Sequence, residues 1–208
     1  MGDPQMNENI ERIQAARRRK ILRRVFVFSL MGLVAALMVG GVIYYSQRKS
    51  ESLPGVAYET VGREHIGLNG APPQPYNSNP PSSGGHFSTS ANWGVYDYEV
   101  EDKIFIHNLE HGGVWIAYRP NIPPAVVEAL KGIVNEFGGS KLVMAPRSAN
   151  DSDIAVVSWG HVFKINLDSG SLSESSRDQI RQFYKAFKNR GPEFVPDTVR
   201  GIDPKSAQ

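Results

Sequence analysis

From Val25 to Tyr45 the chain runs 21 residues without a charged side chain. No other feature limits its possible folds as much. About 20 apolar residues, rising roughly 1.5 Å each, cross the hydrocarbon core of a bilayer. The buried core helix of a globular protein rarely stays uncharged for that length. Tyr44 and Tyr45 suit the membrane–water interface. The run is longer than the core of a signal peptide and no small-x-small cleavage site precedes Gln47, so it reads as an uncleaved signal anchor.

Charge gives the orientation. Arg12, Arg17, Arg18, Arg19, Lys20, Arg23 and Arg24 precede the run, and only Arg48 and Lys49 follow it closely. The positive-inside rule puts the N-terminus in the cytoplasm and the rest outside the cell membrane. The formal net charge of +2 hides this asymmetry. Residues 1–49 carry 9 Lys/Arg against 3 Asp/Glu, whereas residues 50–208 carry 14 against 18. The basic excess therefore belongs to a short tail that faces anionic lipid, not to a nucleic-acid-binding surface. No nucleic-acid partner is expected; the lipid bilayer is, through residues 25–45. The chain divides into a basic cytoplasmic tail (1–24), a transmembrane signal anchor (25–45), a stalk (46–62), an exported domain (63–195) and a frayed tail (196–208).

The chain has no cysteine. The exported domain must hold together through its core alone, which about 130–150 residues can supply. Thiolate metal sites, thiol catalysis and haem attachment through Cys-x-x-Cys-His are excluded. Gly70 to Gly85 contains five prolines, which rules out regular helix or central strand there. Tyr76, Phe87, Trp93, Tyr96 and Tyr98 around this stretch are large anchors, so it reads as an ordered loop and not a linker. Lys103–Ile106 and Val114–Tyr118 are β-type runs. A helix opens at Pro123-Pro124, carries Val126, Val127, Leu130, Ile133, Val134 and Phe137 at helical spacing, and closes at Gly138-Gly139. Leu142–Ala145, Ile154–Ser158 and His161–Ile165 look like strands. A second helix runs from Ser173, its candidate N-cap, to Asn189, with Ile180, Phe183, Tyr184 and Phe187 as its apolar stripe. The expected fold is α+β: a small, mainly antiparallel sheet with two helices, preceded by one transmembrane helix.

Residues 107–111 read His-Asn-Leu-Glu-His. On one strand, His107 and His111 would stand about 13 Å apart, too far to share a metal. On a helix, positions i and i+4 share a face and can chelate. On a hairpin with Asn108-Leu109-Glu110 as its loop they would face each other, with Cβ atoms about 4.5–5.5 Å apart. The β-type flanks and Gly112-Gly113 favour a hairpin or a single helical turn. His-x-x-Glu-His is also the inverted zincin motif, in which two histidines hold zinc and the glutamate activates water. That chemistry needs the motif inside a helix, which the same flanks argue against. His86, just past the proline-rich loop, is the third candidate ligand. His65 and Met144 are candidates for a fourth; Met144 is the one methionine outside the tail and the membrane run. Imidazoles with a thioether suit copper, and imidazoles alone suit zinc or copper. His161 reads as a hydrogen-bonded strand residue. Glu110 is expected to orient a histidine through its ring N–H, or to tie down the proline-rich loop.

Asn79-Pro80-Pro81-Ser82-Ser83-Gly84-Gly85-His86, Trp93-Gly94-Val95-Tyr96 and His107-Asn108-Leu109-Glu110-His111-Gly112 together resemble the domain of unknown function numbered 3105. That family's pattern runs Pro-Pro-Thr-Ser-Gly-x-His, Trp-Gly-x-Tyr, then His-x-Leu-Glu-His-Gly, and Ser82 stands where Thr is usual. Glu64-His65-Ile66 matches an earlier family histidine. The resemblance implies a bacterial, membrane-anchored exported domain in which His65, His86, His107 and His111 form one site. It implies no activity.

The sequence thus supports a membrane-anchored extracytoplasmic domain that binds a metal, copper first and zinc as the alternative. Two other readings stand beside it. One is a non-enzymatic accessory subunit with a structural histidine network, meeting a membrane protein partner through Trp93, Tyr96 or Tyr98. The other is a metal-dependent hydrolase with Glu110 as base.

Overall fold

The structure, a computed structural model, describes residues 4–51 and 54–207. Ser52 and Leu53, within the expected stalk, lie outside the described residues, as do the side chains of Arg12, Tyr45, Arg48 and Lys49. The chain divides into two units, residues 1–52 and 53–208.

The first unit is one helix, α1 (Pro4–Glu51). Its stretch Arg17–Tyr44 is long and apolar enough to cross a membrane. All described side chains in that stretch are exposed, including Phe26 and Phe28 at 69% each. A helix that is apolar on every side has to be covered by something other than water. The 21 uncharged residues rise about 31 Å, close to the hydrocarbon thickness of a bilayer.

The second unit is α+β, as expected. Its six-stranded sheet contains β1 (Val56–Ala57), β4 (Gly94–Val95), β5 (Val114–Tyr118), β6 (Leu142–Pro146), β7 (Ile154–Ser158) and β8 (His161–Ile165). The strand order is β1-β8-β7-β5-β6-β4. β1, β8, β7 and β5 pair antiparallel, and β6 joins β5 and β4 in parallel. A separate parallel pair consists of β2 (His65–Ile66) and β3 (His86–Phe87). Three helices complete the unit: α2 (Asp102–Glu110), α3 (Pro124–Glu136) and α4 (Glu174–Phe187).

Strand alternation sorts the core into two layers. Val114, Ile116, Met144, Ile154 and Val156 face Leu130 and Ile133 of α3 and Ile180 and Phe183 of α4. Trp115, Ala117, Val143, Ala155 and Val157 face the opposite way, onto Phe105 and Leu109 of α2. Pro124 starts α3 at a position that needs no backbone donor. Ser173 caps α4 by accepting from the Ser176 N–H at 3.1 Å.

Three expectations are corrected. Lys103–Ile106 is not a strand, and His107–Glu110 is neither a hairpin nor a lone turn; both belong to α2, so the described residues of the unit form three α-helices. The branched and aromatic residues that mimic a strand are there because α2 is buried almost all round, with Ile104 through Glu110 all buried. Gly112-Gly113 does not forbid the helix but ends it. Gly112 takes φ +76°, its N–H donates to Leu109 O at 2.9 Å, and the Gly113 N–H donates to Asn108 O at 2.9 Å. That is the Schellman pattern of a helix C-terminus. Second, Val56–Ala57 is an edge strand, so part of the expected stalk belongs to the sheet; two residues are too few to show a period. Third, the described residues beyond 196 dock instead of fraying. Ile202 bridges Ala91, and Pro204 is buried at the start of a short 3-10 turn, Pro204–Ala207.

Candidate metal centre

Two elements carry the histidines. The parallel pairing of β2 and β3 aligns His65 with His86, which sets their rings side by side with centroids 5.1 Å apart. The proline-rich loop that delivers His86 is closely packed: residues 80–86 are buried, and the Tyr76 hydroxyl donates to Gly85 O at 2.7 Å. Gly84, at φ +119°, lies so near the Tyr76 ring that an added Cβ would stand 2.9 Å from it. Helix α2 supplies His107, Glu110 and His111. Its first turn is clamped by Arg147, whose guanidinium makes two 2.8 Å bonds to the Asp102 carboxylate. Arg147 also donates to Asn79 at the loop, at 2.6 Å, so one buried cation ties the loop to the helix.

Donor atoms of His65, His86, His107 and Glu110 all lie within 4.8 Å of one another. His86, His107 and Glu110 are buried, whereas the His65 side chain is 50% exposed and forms the open side. The His65 and His107 rings stack at 5.0 Å, and the His86 and Trp159 rings meet in a T-shape at 6.1 Å. A four-coordinate ion with bonds of about 2.0–2.1 Å needs donors about 3.3 Å apart. The 3.0 Å between His86 Nε2 and Glu110 Oε2 and the 3.8 Å between His65 Nε2 and the same oxygen bracket that value.

Backbone carbonyls decide which ring nitrogens are free. Gly84 O lies 2.7 Å from His86 Nδ1, and Phe87 O lies 2.7 Å from His107 Nδ1. A carbonyl only accepts, so both Nδ1 atoms donate and each neutral ring turns an Nε2 lone pair inward. His86 Nε2 then faces a carboxylate oxygen at 3.0 Å. Two acceptors at that distance repel unless a cation lies between them, either a shared proton or a metal ion. The Nε2 of His107 sits 3.0 Å from Nε2 of His111, so the two rings share a hydrogen bond that a bound metal ion would replace. This is how metal-binding histidines are generally held, by a fixed partner on the other ring nitrogen.

Burial pushes His107 down to about 4, opposed by its bond to Phe87 O and reinforced by His111 and His86, so its ring is neutral at neutral pH. Burial also lowers His111. Burial pushes the Glu110 carboxyl up, but the hydrogen bond to His86 and the surrounding imidazoles outweigh it and hold it below the usual carboxylate range. His107 and His111 are thus held towards the neutral imidazole and Glu110 towards the carboxylate, the protonation states that metal binding requires.

The structure therefore brings His65, His86 and His107 together and sets His111 against His107. Met144 is elsewhere: it is wholly buried in the layer facing α3 and α4, on the opposite side of the sheet from α2. Alternation along β6 puts it there, and it packs as core. His161 packs on Phe187 with ring centroids 4.3 Å apart and is not among the clustered donors. Glu110 does contact a histidine ring, but as a donor among donors. Sequence reasoning missed Glu193, whose Oε2 lies 3.5 Å from His111 Nε2, and Arg63, whose Nε lies 4.0 Å from Glu110 Oε1. No motif or periodicity marks either residue.

The sequence model of the family described as "Protein of unknown function (DUF3105)" matches residues 71–198. This is more than half of the chain, and the protein belongs to that family. No curated protein and no solved structure matches it.

Proposed function

We propose that this member of the family is a membrane-anchored metal-binding protein, with α1 spanning the cell membrane, its N-terminus cytoplasmic and its α+β domain outside. The observation that carries the metal reading is the inward pair His86 Nε2 and Glu110 Oε2, 3.0 Å apart, with the opposite ring nitrogen tied to Gly84 O. His65 and His107 complete three imidazoles and one carboxylate around one point. Such nitrogen and oxygen donors favour a divalent ion. Copper, as Cu(II), heads the affinity order for them, and zinc is the alternative. Without Met144 or any thiolate, the reason to invoke Cu(I) disappears. The basic flank Arg17–Arg24 supports the orientation through the positive-inside rule.

The test uses the full chain purified in detergent, analysed for metal before any chelator and then titrated with Cu(II) and Zn(II). Binding should be micromolar or tighter, and should fall at least about tenfold in His86→Ala and His107→Ala proteins that keep their near-ultraviolet circular dichroism. Parent-like binding in both folded variants would end the proposal.

One observation favours a second reading, a metal-dependent hydrolase. The His-x-x-Glu-His run does lie on a helix up to Glu110, with the two Nε2 atoms 3.0 Å apart, which is the context the inverted zincin motif requires. A Glu110→Gln protein that keeps its metal and loses a measured hydrolytic activity would support it.

A further inference from the structure

Glu110 belongs to a second group of donors as well. Its carboxylate, His111 and Glu193 bring ligand atoms within 4.8 Å of one another. His111 Nε2 is 3.5 Å from Glu193 Oε2 and 3.0 Å from His107 Nε2, so this group adjoins the first.

The position of Glu193 is built by backbone packing. The Asn189 N–H donates to Gly112 O at 2.8 Å, and the Glu193 N–H donates to Glu110 O at 3.1 Å. Between these bonds Gly191 lies so close to α2 that a Cβ there would stand 2.1 Å from Glu110 O and 2.3 Å from Gly112 N. On the far side of Glu193, the wholly buried Lys141 donates to Val195 O and, at 2.5 Å, to His111 O. The neighbouring Phe194 is 76% exposed, so apolar burial does not hold this segment down. The segment is fastened on both sides of one residue, and what it delivers to the end of α2 is a carboxylate beside an imidazole.

We infer that the centre takes two divalent cations, the second held by His111, Glu193 and Glu110, with Glu110 shared between them; the inference rests on the metal-binding reading above. Glu110 is the one donor common to both groups. Two carboxylates and one imidazole make the second group harder and more negative than the first, so it takes a divalent ion of the Zn(II) or Cu(II) kind through oxygen and nitrogen. Three protein donors leave a tetrahedral ion one position for water or an exogenous ligand. The nearest cations are accommodated: Arg63 is at 4.0 Å from Glu110 Oε1 with its side chain 58% exposed, and Lys141 is spent on carbonyls.

The experiment titrates chelator-stripped full chain, in detergent, with Zn(II) alone by calorimetry. The parent should take two equivalents. Glu193→Gln and His111→Gln should each take one, and Glu193→Gln should keep the affinity of the remaining site within about threefold of the parent's tighter site. Cu(II)-loaded parent should give an electron paramagnetic resonance intensity well below two spins because a shared carboxylate couples the ions, whereas Glu193→Gln should give one uncoupled spin. One equivalent in the parent, or two in Glu193→Gln, overturns the second site while leaving the first. No binding in the parent overturns both.

Discussion

Replacing Glu110 by glutamine should change metal-free stability little and metal affinity much. Gly84 O holds the Nδ1–H of His86, so Nε2 must receive a hydrogen bond, and the Glu110 oxygen at 3.0 Å can supply one only by sharing a proton. A glutamine NH2 in the same place donates directly, which is worth about 1 kcal/mol net. Against that gain, it removes a carboxylate that the bond to His86 and the surrounding imidazoles hold ionised, so the two effects offset. The metal-free variant should therefore stay within about 1 kcal/mol of the parent, a change in Tm of no more than about 2–4 °C. Loss of the anionic ligand should weaken binding at least tenfold, about 1.4 kcal/mol. At a metal concentration about 100 times the parent Kd, the parent gains about 2.7 kcal/mol, or about 5–11 °C, and a tenfold weaker variant about half of that. Near-ultraviolet circular dichroism is the suitable signal, because Trp93, Trp115 and Trp159 all lie in the domain and none in α1. A metal-free variant destabilised by about 2 kcal/mol or more, with the full metal-induced shift retained, would refute the reasoning and make Glu110 a structural anion.

Stability of the metal-free domain should fall as the pH drops. The His107 pKa is held below its ordinary value, at about 4, so its contribution is intact above about pH 6.5 and is lost as the pH falls towards 4. Glu110, also lowered, acts with the same sign, its share present above the ordinary carboxylate value and lost below it. Denaturant midpoints between pH 7 and pH 4 should show the decline, and a His107→Gln protein should show a shallower one. Met144→Leu should leave Cu(II) and Zn(II) binding unchanged and cost less than about 1.5 kcal/mol in urea unfolding, because Met144 is core on the other face of the sheet. Gly113→Ala should cost about 2–3 kcal/mol by the same measurement, since its Cβ would meet Asn108 O and the Trp93 ring at 2.6 Å. Gly113 is not in the left-handed region, so that cost is steric and not conformational.

Periodicity made α3 and α4 legible, because each is long enough to show its repeat and buries only part of its surface. The central strands β5, β6 and β7 are buried on both faces and were legible as short runs of branched and apolar residues. Helix α2 is nine residues long and almost entirely inaccessible, so it presents no polar face for a period to reveal. Ile104, Phe105 and Ile106 then score as strand by type alone, although the preference of Ile104 and Phe105 yields to their packing with Trp115 and the sheet. The reading of Gly112-Gly113 failed for a related reason: a glycine pair marks an ending without saying what ends.

The site was legible in proportion to how local its parts are. His107, Glu110 and His111 fall within five residues, and His86 sits at the end of a loop whose prolines are conspicuous. Glu193 lies 82 residues beyond His111 in a polar stretch and reaches the site only because Gly112 and Gly191 let two backbones touch. Such an approach depends on the absence of side chains, which leaves no pattern to read. The same logic separates Met144 from the histidines. Soft-donor chemistry made it attractive as a ligand, but a strand alternates its faces, and one step along β6 decides whether a side chain meets α2 or α3. The register Ile116 to Met144, with Ile116 already committed to the α3 side, closes that question before any metal chemistry is considered.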